Sequence, residues 1–296
     1  SRGLGDVYKR QIMNKVKIGV IGAGWWATEN HIPHLAERDE VELTSVCKLE
    51  EDQLSFVKNK FNFKHASTDF KEMLDLSYLD GVVISSPHHA HYENAKAALE
   101  KNCHVMIEKP MTTVSREAET LLKLAKKKNK HILIPNGFNF KNFMSKAEEI
   151  IINKKIGEIK HVDAAFSSSL TDLFQGIPLS ESNNHTFQPH ASTWSDPNKG
   201  GGYGWGQLSH MFAGVLKITH LDPDQVFCLS VPSPTNVDYT NAVSMKFSNG
   251  ATGSFSGSAF VPKDFGGTFY ITVHGTLGVL YLDCLLYTSD AADEIA

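Results

Sequence analysis

Apolar and polar positions alternate along the first half of the chain in a way that predicts short strands separated by helices. β-Branched and apolar runs predict the strands, and stretches of helical period lie between them. The predicted strands are 16–21, 41–47, 81–85, 104–107 and 131–134. The predicted helices are 32–37, 51–61, 89–101 and 115–129. This alternation favours a doubly wound parallel sheet with right-handed crossovers, a Rossmann-type α/β domain over residues 12–135.

The pattern changes after Pro135 and predicts a second architecture. A helix over 143–153 leads into a long strand over 158–167, and a polar segment then precedes a helix over 208–219. The remaining predicted strands are 225–231, 241–247, 251–258 and 268–274. The turn Ser248-Asn249-Gly250 is typical of a hairpin. We therefore expect a second domain over residues 136–283, of the α+β class with a largely antiparallel open sheet.

The two ends of the chain differ in character from the rest. Residues 1–11 and 284–296 have no clear period and resemble translated sequencing-adapter read-through, so we expect them to be non-native tails. On this hypothesis the native start lies near Met13 and the second domain is truncated at its C-terminus. A truncated sheet leaves an edge open, and open edges promote association.

Composition narrows the class of partner. Of the 296 residues, 41% are hydrophobic and 21% are charged, which suits a globular protein with a core and a solvated surface. Asp and Glu (33) outnumber Lys and Arg (29), so no nucleic-acid-binding surface is indicated. No apolar run approaches the roughly 20 residues of a membrane-spanning helix. We therefore expect a small-molecule partner. We also expect a cytoplasmic protein, because the four cysteines are far apart and suit reduced thiols.

A glycine-rich turn directly follows the first predicted strand. The hexapeptide Gly22-Ala23-Gly24-Trp25-Trp26-Ala27 has the form GxGxxA and opens a helix. Small residues allow a tight turn and let the backbone approach a pyrophosphate, whose charge the helix N-terminus stabilises. The turn therefore predicts a dinucleotide site, and the family resemblance given below implies that Gly22, Gly24, Trp25 and Trp26 contact the coenzyme.

The end of the second predicted strand bears on the choice between NAD and NADP. Lys48 stands where an acidic residue would accept hydrogen bonds from the adenosine ribose of NAD. A lysine cannot accept these bonds but can neutralise a 2′-phosphate, so NADP is slightly favoured. Two alternatives stay open: Glu50 is the ribose ligand, or Lys48 is a solvated surface residue.

An ordered set of motifs in both halves resembles a single family. The motifs are Pro87-His88 with His91, Glu108-Lys109-Pro110, Gly200-Gly201-Gly202 leading to His210, and His274-Gly275-Thr276-Leu277-Gly278. In this order they resemble the Gfo/Idh/MocA oxidoreductases, from about residue 15 to residue 282. The resemblance implies a first domain that binds NAD(P). It also implies a second domain that contacts the substrate and forms a homo-oligomer through its sheet.

The resemblance implies roles for individual residues as well. Those expected along the nicotinamide half of the coenzyme, some of them also facing the substrate, are Ser86, Pro87, His88, His91, Glu108 and Lys109. Lys109 would orient the substrate hydroxyl and stabilise negative charge on its oxygen. His210 would accept the proton, because histidine titrates near neutrality. The alternative for Lys109 is a plain solvated charge.

The glycine loop departs from the family pattern GGGxxxDxGxH. Gly206 stands in the place of the family's Asp, Leu208 in that of a Gly and Ala213 in that of a second Asp. The substitutes expected to contact the substrate are Tyr203, Trp205 and Gln207. Their aromatic rings would stack on a sugar face and the amide would bond a hydroxyl. The alternative is a flexible loop with a structural His210.

Together these residues predict an NAD(P)-dependent oxidoreductase that transfers hydride between the nicotinamide and a secondary alcohol of a sugar, inositol or related polyol. Two alternatives stay open: a redox-assisted sugar lyase or glycosidase with tightly bound NAD(P), and a non-catalytic dinucleotide-binding regulator. We expect no metal, since the histidines lack carboxylate or cysteine partners at ligand spacing. The histidines considered as ligands are His88, His89, His91, His185 and His190.

Overall fold

The computed structural model describes residues 15–76 and 78–285, which form two domains, each built on a six-stranded sheet. The predicted tail 1–11, and the part of the predicted tail 284–296 that follows residue 285, lie outside the described residues. Among the described residues, no helix has both the length and the apolar character needed to cross a membrane.

The first domain has the predicted Rossmann architecture. Its strands are β1 (Val16–Ile21), β2 (Val41–Cys47), β3 (His65–Ser67), β4 (Gly81–Ile84), β5 (His104–Ile107) and β6 (Ile132–Leu133). They are all parallel, in the order β3-β2-β1-β4-β5-β6. This order reverses direction between β1 and β4, where doubly wound sheets open a crevice for a ligand.

Helices cover both faces of this sheet. They are α1 (Ile32–Ala36), α2 (Glu51–Lys60), α3 (Phe70–Asp75), α4 (His91–Glu100) and α5 (Ser115–Lys128). A π-helical turn over Ala27–His31 precedes α1. The central strand β1 is buried on both faces at its carboxyl end, where Val20 packs in one core cluster and Ile21 in the other.

The second domain is α+β with a mixed, mostly antiparallel sheet, as predicted. Its strands are β7 (Ile159–Ser167), β8 (Pro223–Pro232), β9 (Asp238–Phe247), β10 (Thr252–Ser258), β11 (Thr268–Gly275) and β12 (Val279–Asp283). Their order is β12-β11-β7-β10-β9-β8, and only the β7–β10 pair is parallel. Two helices, α6 (Asn142–Ile152) and α9 (Ser209–Thr219), supply Met144 and Met211 to the core that also contains strand residue Ile271.

Several short elements were not predicted. They are β3, α3, β12 and two helices in the polar segment, α7 (Thr171–Phe174) and α8 (Ala191–Ser195). Only α3 has a recognisable signal in the sequence, its N-cap residue Asp69. The Asp69 carboxylate accepts hydrogen bonds from the backbone N–H groups of Lys71 and Glu72. β3, in contrast, depends on a contact distant in sequence, its pairing with β2.

Residue Cys284 lies at the boundary between the second domain and the predicted C-terminal tail. Its side chain is fully buried in the core of the second domain, and its backbone N–H donates to the Phe269 carbonyl at 2.8 Å. The packed second domain therefore includes Cys284, one residue past the predicted boundary.

Candidate active site

The glycine turn after β1 has the geometry of a nucleotide-binding turn. Gly22 has a φ of +83°, and a Cβ atom there would lie 2.3 Å from the backbone nitrogen of Ser86, just beyond β4. Only glycine fits, because the backbone is left-handed and in contact with another backbone. At Gly24, by contrast, a Cβ atom would meet nothing within 4 Å. The turn is tightly packed at its first glycine and borders open space at its second.

That open space lies where the glycine motif predicts the pyrophosphate of a dinucleotide. It lies at the carboxyl end of β1, and the helical turn that follows begins beside it. Thr28 closes this turn by donating hydrogen bonds to the Gly24 carbonyl from its N–H, at 3.0 Å, and from its hydroxyl, at 2.9 Å. A pyrophosphate would lie against Gly24 and Trp25, at the positive end of the helix.

Glu108, which follows β5, is held by its own domain. One carboxylate oxygen accepts hydrogen bonds from Trp26 Nε1 at 2.9 Å and His31 Nε2 at 2.7 Å, and the other accepts the Lys109 N–H at 3.1 Å. Burial raises the pKa of Glu108, but the hydrogen bond from His31 and the charges of His31 and Lys109 outweigh it, so the pKa is lowered. Glu108 is therefore a carboxylate that positions Trp26 and stabilises the neighbouring ammonium.

Lys48 and Glu50, offered by the sequence as alternative ribose ligands, form an ion pair. The Lys48 ammonium lies 2.8 Å from a Glu50 carboxylate oxygen and 5.1 Å from the centroid of the Phe187 ring. The hydrogen bond from Lys48 lowers the pKa of Glu50 despite its partial burial. Only 12% of the Lys48 side chain is exposed, so the reading of this lysine as a freely solvated charge is wrong.

A segment of the second domain, residues 185–187, crosses the nucleotide side of the first domain. Trp25 Nε1 donates to His185 Nδ1 at 2.7 Å, and the two rings stack. The Thr186 N–H donates to the Glu29 carboxylate at 2.8 Å, while the Phe187 ring packs against the first domain. This crossing holds the domains together beside Trp25 and Lys48, two of the predicted coenzyme contacts.

Three of the residues expected along the nicotinamide half form hydrogen bonds with the protein itself. His91 is fully buried, with its ring nitrogens 2.8 Å from the Ser86 and Pro110 carbonyl oxygens, so it positions these two backbone segments and does not contact the coenzyme. The prediction that His91 contacts the coenzyme is therefore wrong. The Ser86 hydroxyl donates to Asn94 at 2.7 Å. His88 bonds the Gly200 carbonyl at 2.8 Å, and burial lowers its pKa to about 4.

Lys109 links the two domains. Its ammonium donates to the Gly206 carbonyl at 2.7 Å and lies 5.5 Å from the centroid of the Trp194 ring. Burial lowers the pKa of Lys109 to about 8, an effect that the Glu108 carboxylate opposes. The side chain is not a plain solvated charge, and its pKa lies closer to neutral pH than that of a solvated lysine.

His210, in the first turn of α9, has an unsatisfied nitrogen. Its ring packs against the aromatic rings of Phe138 and Phe166, at centroid distances of 6.1 and 6.4 Å, and within the described residues Nδ1 has no hydrogen-bond partner. Burial and the charge of Lys109 lower the pKa of His210 to about 3. The imidazole is therefore neutral at physiological pH, with a buried polar atom that a ligand hydroxyl would satisfy.

The glycine loop before α9 is anchored by Asp238, which the sequence analysis did not single out. Its carboxylate accepts the Gly204 N–H at 2.7 Å, and a Cβ atom on Gly202 would lie 2.1 Å from it. Tyr203 is fully buried, and its hydroxyl donates to the Phe166 carbonyl at 3.0 Å. The expectation that Tyr203 stacks on a sugar is therefore wrong, since its ring is part of the core.

The other two predicted substrate contacts remain on the loop surface. Trp205 is 42% exposed, and the Gln207 amide lies 3.4 Å from the Ser168 hydroxyl. A residue that sequence reasoning missed, Trp194 at the end of α8, packs directly between the predicted site residues. Its ring lies 5.2 Å from that of His88, edge to face. No periodicity marks this tryptophan in the sequence, because only the fold brings it to Lys109.

The histidines do not form a metal centre in the part of the chain that the structure describes. His88 and His91 have ring centroids 5.8 Å apart, but each bonds backbone carbonyls. No group of at least three described His, Cys, Asp or Glu side chains is arranged to hold a metal ion.

Two family models match most of the chain, one in each domain. The model for the oxidoreductase family GFO_IDH_MocA with an NAD-binding Rossmann fold matches residues 16–135, and the model for the GFO/IDH/MocA C-terminal domain matches residues 144–281. The protein therefore belongs to the Gfo/Idh/MocA oxidoreductase family and contains its NAD-binding domain.

Two similar proteins are named as dehydrogenases of a glucoside and of an inositol. D-glucoside 3-dehydrogenase of Escherichia coli (strain K12) is 30% identical over 144 residues, 49% of this chain and 41% of that protein. The NADP(+)-dependent scyllo-inositol 2-dehydrogenase IolU of Bacillus subtilis (strain 168) is 27% identical over 190 residues, 61% of this chain and 53% of that protein. The chain thus spans about half the length of these relatives.

A solved structure supports the fold. The crystal structure of myo-inositol 2-dehydrogenase from Lactobacillus plantarum superposes with a TM-score of 0.75 at 21% identity, covering 90% of this chain and 76% of that one. The two proteins share both domains and their arrangement as a fold.

Proposed function

We propose that the protein is an NAD(P)-dependent dehydrogenase that oxidises a secondary alcohol of a cyclic sugar, an inositol or a related polyol. The observation that carries this proposal is the position of Lys109: its ammonium bonds the Gly206 carbonyl of the substrate domain, while its backbone N–H bonds Glu108 beside the nucleotide-binding turn. When bound, the nicotinamide supplies the hydride acceptor. The relatives named above support the choice of substrate class.

We further propose that Lys109 accepts the proton of the substrate hydroxyl. As the C–H hydride leaves carbon, the O–H proton passes to the neutral Lys109 amine and a carbonyl forms. A group with a pKa near the working pH serves best in this role, and Lys109, with a pKa of about 8, satisfies that condition. His210, with a pKa of about 3, is too weak a base, so its Nδ1 accepts a hydrogen bond from the substrate.

The test of the proposed function is a direct assay. The protein is incubated with NAD or NADP and a panel that includes D-glucose, scyllo-inositol and myo-inositol, and nicotinamide absorbance is followed. We expect net reduction of the coenzyme with at least one member of the panel. A tightly bound coenzyme that cycles without net reduction would support the redox-assisted lyase instead, and tight coenzyme binding without any reaction would support the regulator.

For the coenzyme we propose a small preference for NADP, determined by the Lys48–Glu50 pair. Lys48 attracts a 2′-phosphate, but Glu50 already neutralises it at 2.8 Å and repels the same phosphate. Replacement of Glu50 by Gln removes that repulsion and frees the ammonium, so the NADP to NAD affinity ratio should rise about tenfold, the size of one charge-assisted hydrogen bond. Lys48→Met should lower the ratio. Titration of both coenzymes measures it, and an unchanged ratio in both variants would contradict the proposal.

We also propose that the second-domain sheet mediates homo-oligomer formation. Every residue of the edge strand β8 is exposed, and its apolar side chains Phe227 and Leu229 are each 64% exposed. Exposed apolar surface of this kind is typical of an interface. Light scattering should show an oligomer that Leu229→Lys dissociates; a monomer before and after the change would contradict the proposal. We also propose a cytoplasmic location, because the four cysteines are far apart in the sequence and suit reduced thiols.

A further inference from the structure

The position of Gly206 has an unexpected neighbour. This glycine stands where the family pattern has an Asp, and a Cβ atom built on it would lie 2.9 Å from Cζ3 and 3.4 Å from Cε3 of Trp194. A contact of 2.9 Å to a rigid indole leaves no room for any side chain at residue 206 while the ring stays in place. The indole therefore occupies the volume next to residue 206 that the side chain of an acid would need.

The backbone and ring of Trp194 are both held in place. The Gly202 N–H donates to the Trp194 carbonyl at 3.0 Å, and a Cβ atom on Gly201 would lie 2.4 Å from the same oxygen. The ring lies 5.2 Å from that of His88, at an interplanar angle of 84°, and 5.5 Å from the Lys109 ammonium. Two glycines of the loop thus permit the approach of Trp194, and two predicted site residues border its ring.

We propose that Trp194 is a substrate-contacting residue that selects ring-shaped substrates with an apolar C–H face. The proposal rests on the proposed function, since it concerns the substrate side of Lys109. A carboxylate at residue 206 would accept hydrogen bonds from substrate hydroxyls, whereas an indole offers a flat apolar surface and excludes an axial hydroxyl. The protein therefore selects substrates by the shape of the sugar or cyclitol ring next to the reacting alcohol. An open-chain polyol, which has no such face, gains nothing from the indole.

Calorimetric binding to the complex with NADH tests this proposal without any turnover. The probes are scyllo-inositol and D-glucose, whose rings carry only axial hydrogens on their faces, apart from the anomeric hydroxyl of α-glucose, and sorbitol, which is open-chain. In Trp194→Leu we expect a loss of about tenfold in affinity for the ring probes, no change for sorbitol and unchanged affinity for NADH. Trp194→Phe should keep most of the ring-probe affinity. The control, Phe265→Leu, changes an 83% exposed aromatic and should behave like wild type.

Equal affinity of wild type and Trp194→Leu for the ring probes would overturn the proposal, as would a wild-type protein that binds neither of them. The assay also separates this proposal from the proposed function. Ring binding that depends on Trp194 without any coenzyme reduction would contradict the dehydrogenase and leave the stacking role intact. Coenzyme reduction that does not respond to Trp194→Leu would do the reverse.

A second measurement tests the occupied volume and does not depend on any ligand. Gly206→Ala should lower the melting temperature in the wild type, because the added methyl group meets the indole. In the Trp194→Leu background the same change should be tolerated, since the ring is gone. Equal destabilisation by Gly206→Ala in both backgrounds would show that the indole does not fill this volume and would overturn the proposal.

Discussion

Two glycine-rich stretches of this chain solve the same problem of close approach in different ways. In the turn after β1, Gly22 touches the backbone at Ser86 and Gly24 borders open space, all within one strand–turn–helix unit and its neighbouring strand. In the loop before α9, Gly201 and Gly206 approach a tryptophan of another segment. The first stretch leaves open space beside Gly24, and the second accommodates the backbone and the ring of Trp194.

This difference explains why one region is readable from sequence and the other is not. The first turn depends on local geometry that any parallel sheet imposes, so its motif carries its meaning with it. The second depends on Trp194 and Asp238, which reach the loop from different parts of the second domain. A glycine in this loop indicates only that other atoms lie close to it, and only the fold shows which residue supplies them.

The largest effect is expected at Lys109. Lys109→Ala should lower kcat on the identified substrate by about 10²- to 10⁴-fold, the usual cost of losing a general base. Lys109→Arg retains the positive charge but cannot give up its proton, so it should be nearly as damaging. Steady-state kinetics and coenzyme titration measure both variants. Substantial activity in Lys109→Arg would mean that charge alone suffices and would contradict proton transfer to Lys109.

The two glycines of the nucleotide turn should respond in opposite ways. Gly22→Ala places a methyl group 2.3 Å from backbone at a positive φ, so we expect a large fall in melting temperature. Gly24→Ala meets nothing within 4 Å, so the fold should be as stable as wild type. Its methyl group would nevertheless enter the space assigned to the pyrophosphate, and coenzyme affinity should fall about tenfold or more. Normal coenzyme affinity in Gly24→Ala would place the coenzyme elsewhere.

A smaller effect is expected at His210. Because a neutral imidazole supplies only a hydrogen bond, His210→Gln should lower kcat/KM by about tenfold and leave coenzyme affinity unchanged. If His210 were the base, as the sequence predicts, its loss would instead cost 10²- to 10⁴-fold. The two roles therefore predict losses of different size, and a thousandfold loss would indicate that His210 is the base.

The smallest effect is expected at Asp238, which acts on the glycine loop from outside the cleft. Asp238→Asn weakens the charge-assisted hydrogen bond to the Gly204 N–H, so kcat/KM should fall by severalfold while coenzyme affinity is retained. Asp264→Asn, on an exposed turn, is the matched control. If Asp238→Asn lowered coenzyme affinity as well, the two glycine regions would not be independent.

Much of the fold could be predicted from the sequence, because the elements of the first domain carry strong apolar periodicity. The predicted bounds of β1, β2 and β5 match the structure, and the hairpin at Ser248-Asn249-Gly250 joins β9 to β10. Short elements such as β3 could not be predicted, because three residues carry no period and their pairing is distant in sequence.

The candidate site was predictable only in part. The motif residues Gly22, Glu108 and Lys109 lie just after the carboxyl ends of β1 and β5, as expected. The sequence could not show that Tyr203 turns into the core or that His91 is sealed behind Ser86, since both depend on which face of a turn is covered. Nor could it show that burial separates the pKa values of the two proposed proton acceptors.

The pH dependence of kcat/KM for alcohol oxidation tests the central claim most directly. Lys109 has a pKa of about 8. Below that pH its ammonium is protonated and cannot accept a proton, and above it the neutral amine can accept one. The rate should therefore rise about tenfold per pH unit up to about pH 8 and then level off, and His210→Gln should keep this profile. A profile that is flat through pH 8, or a break near pH 6 to 7 that disappears in His210→Gln, would contradict the account.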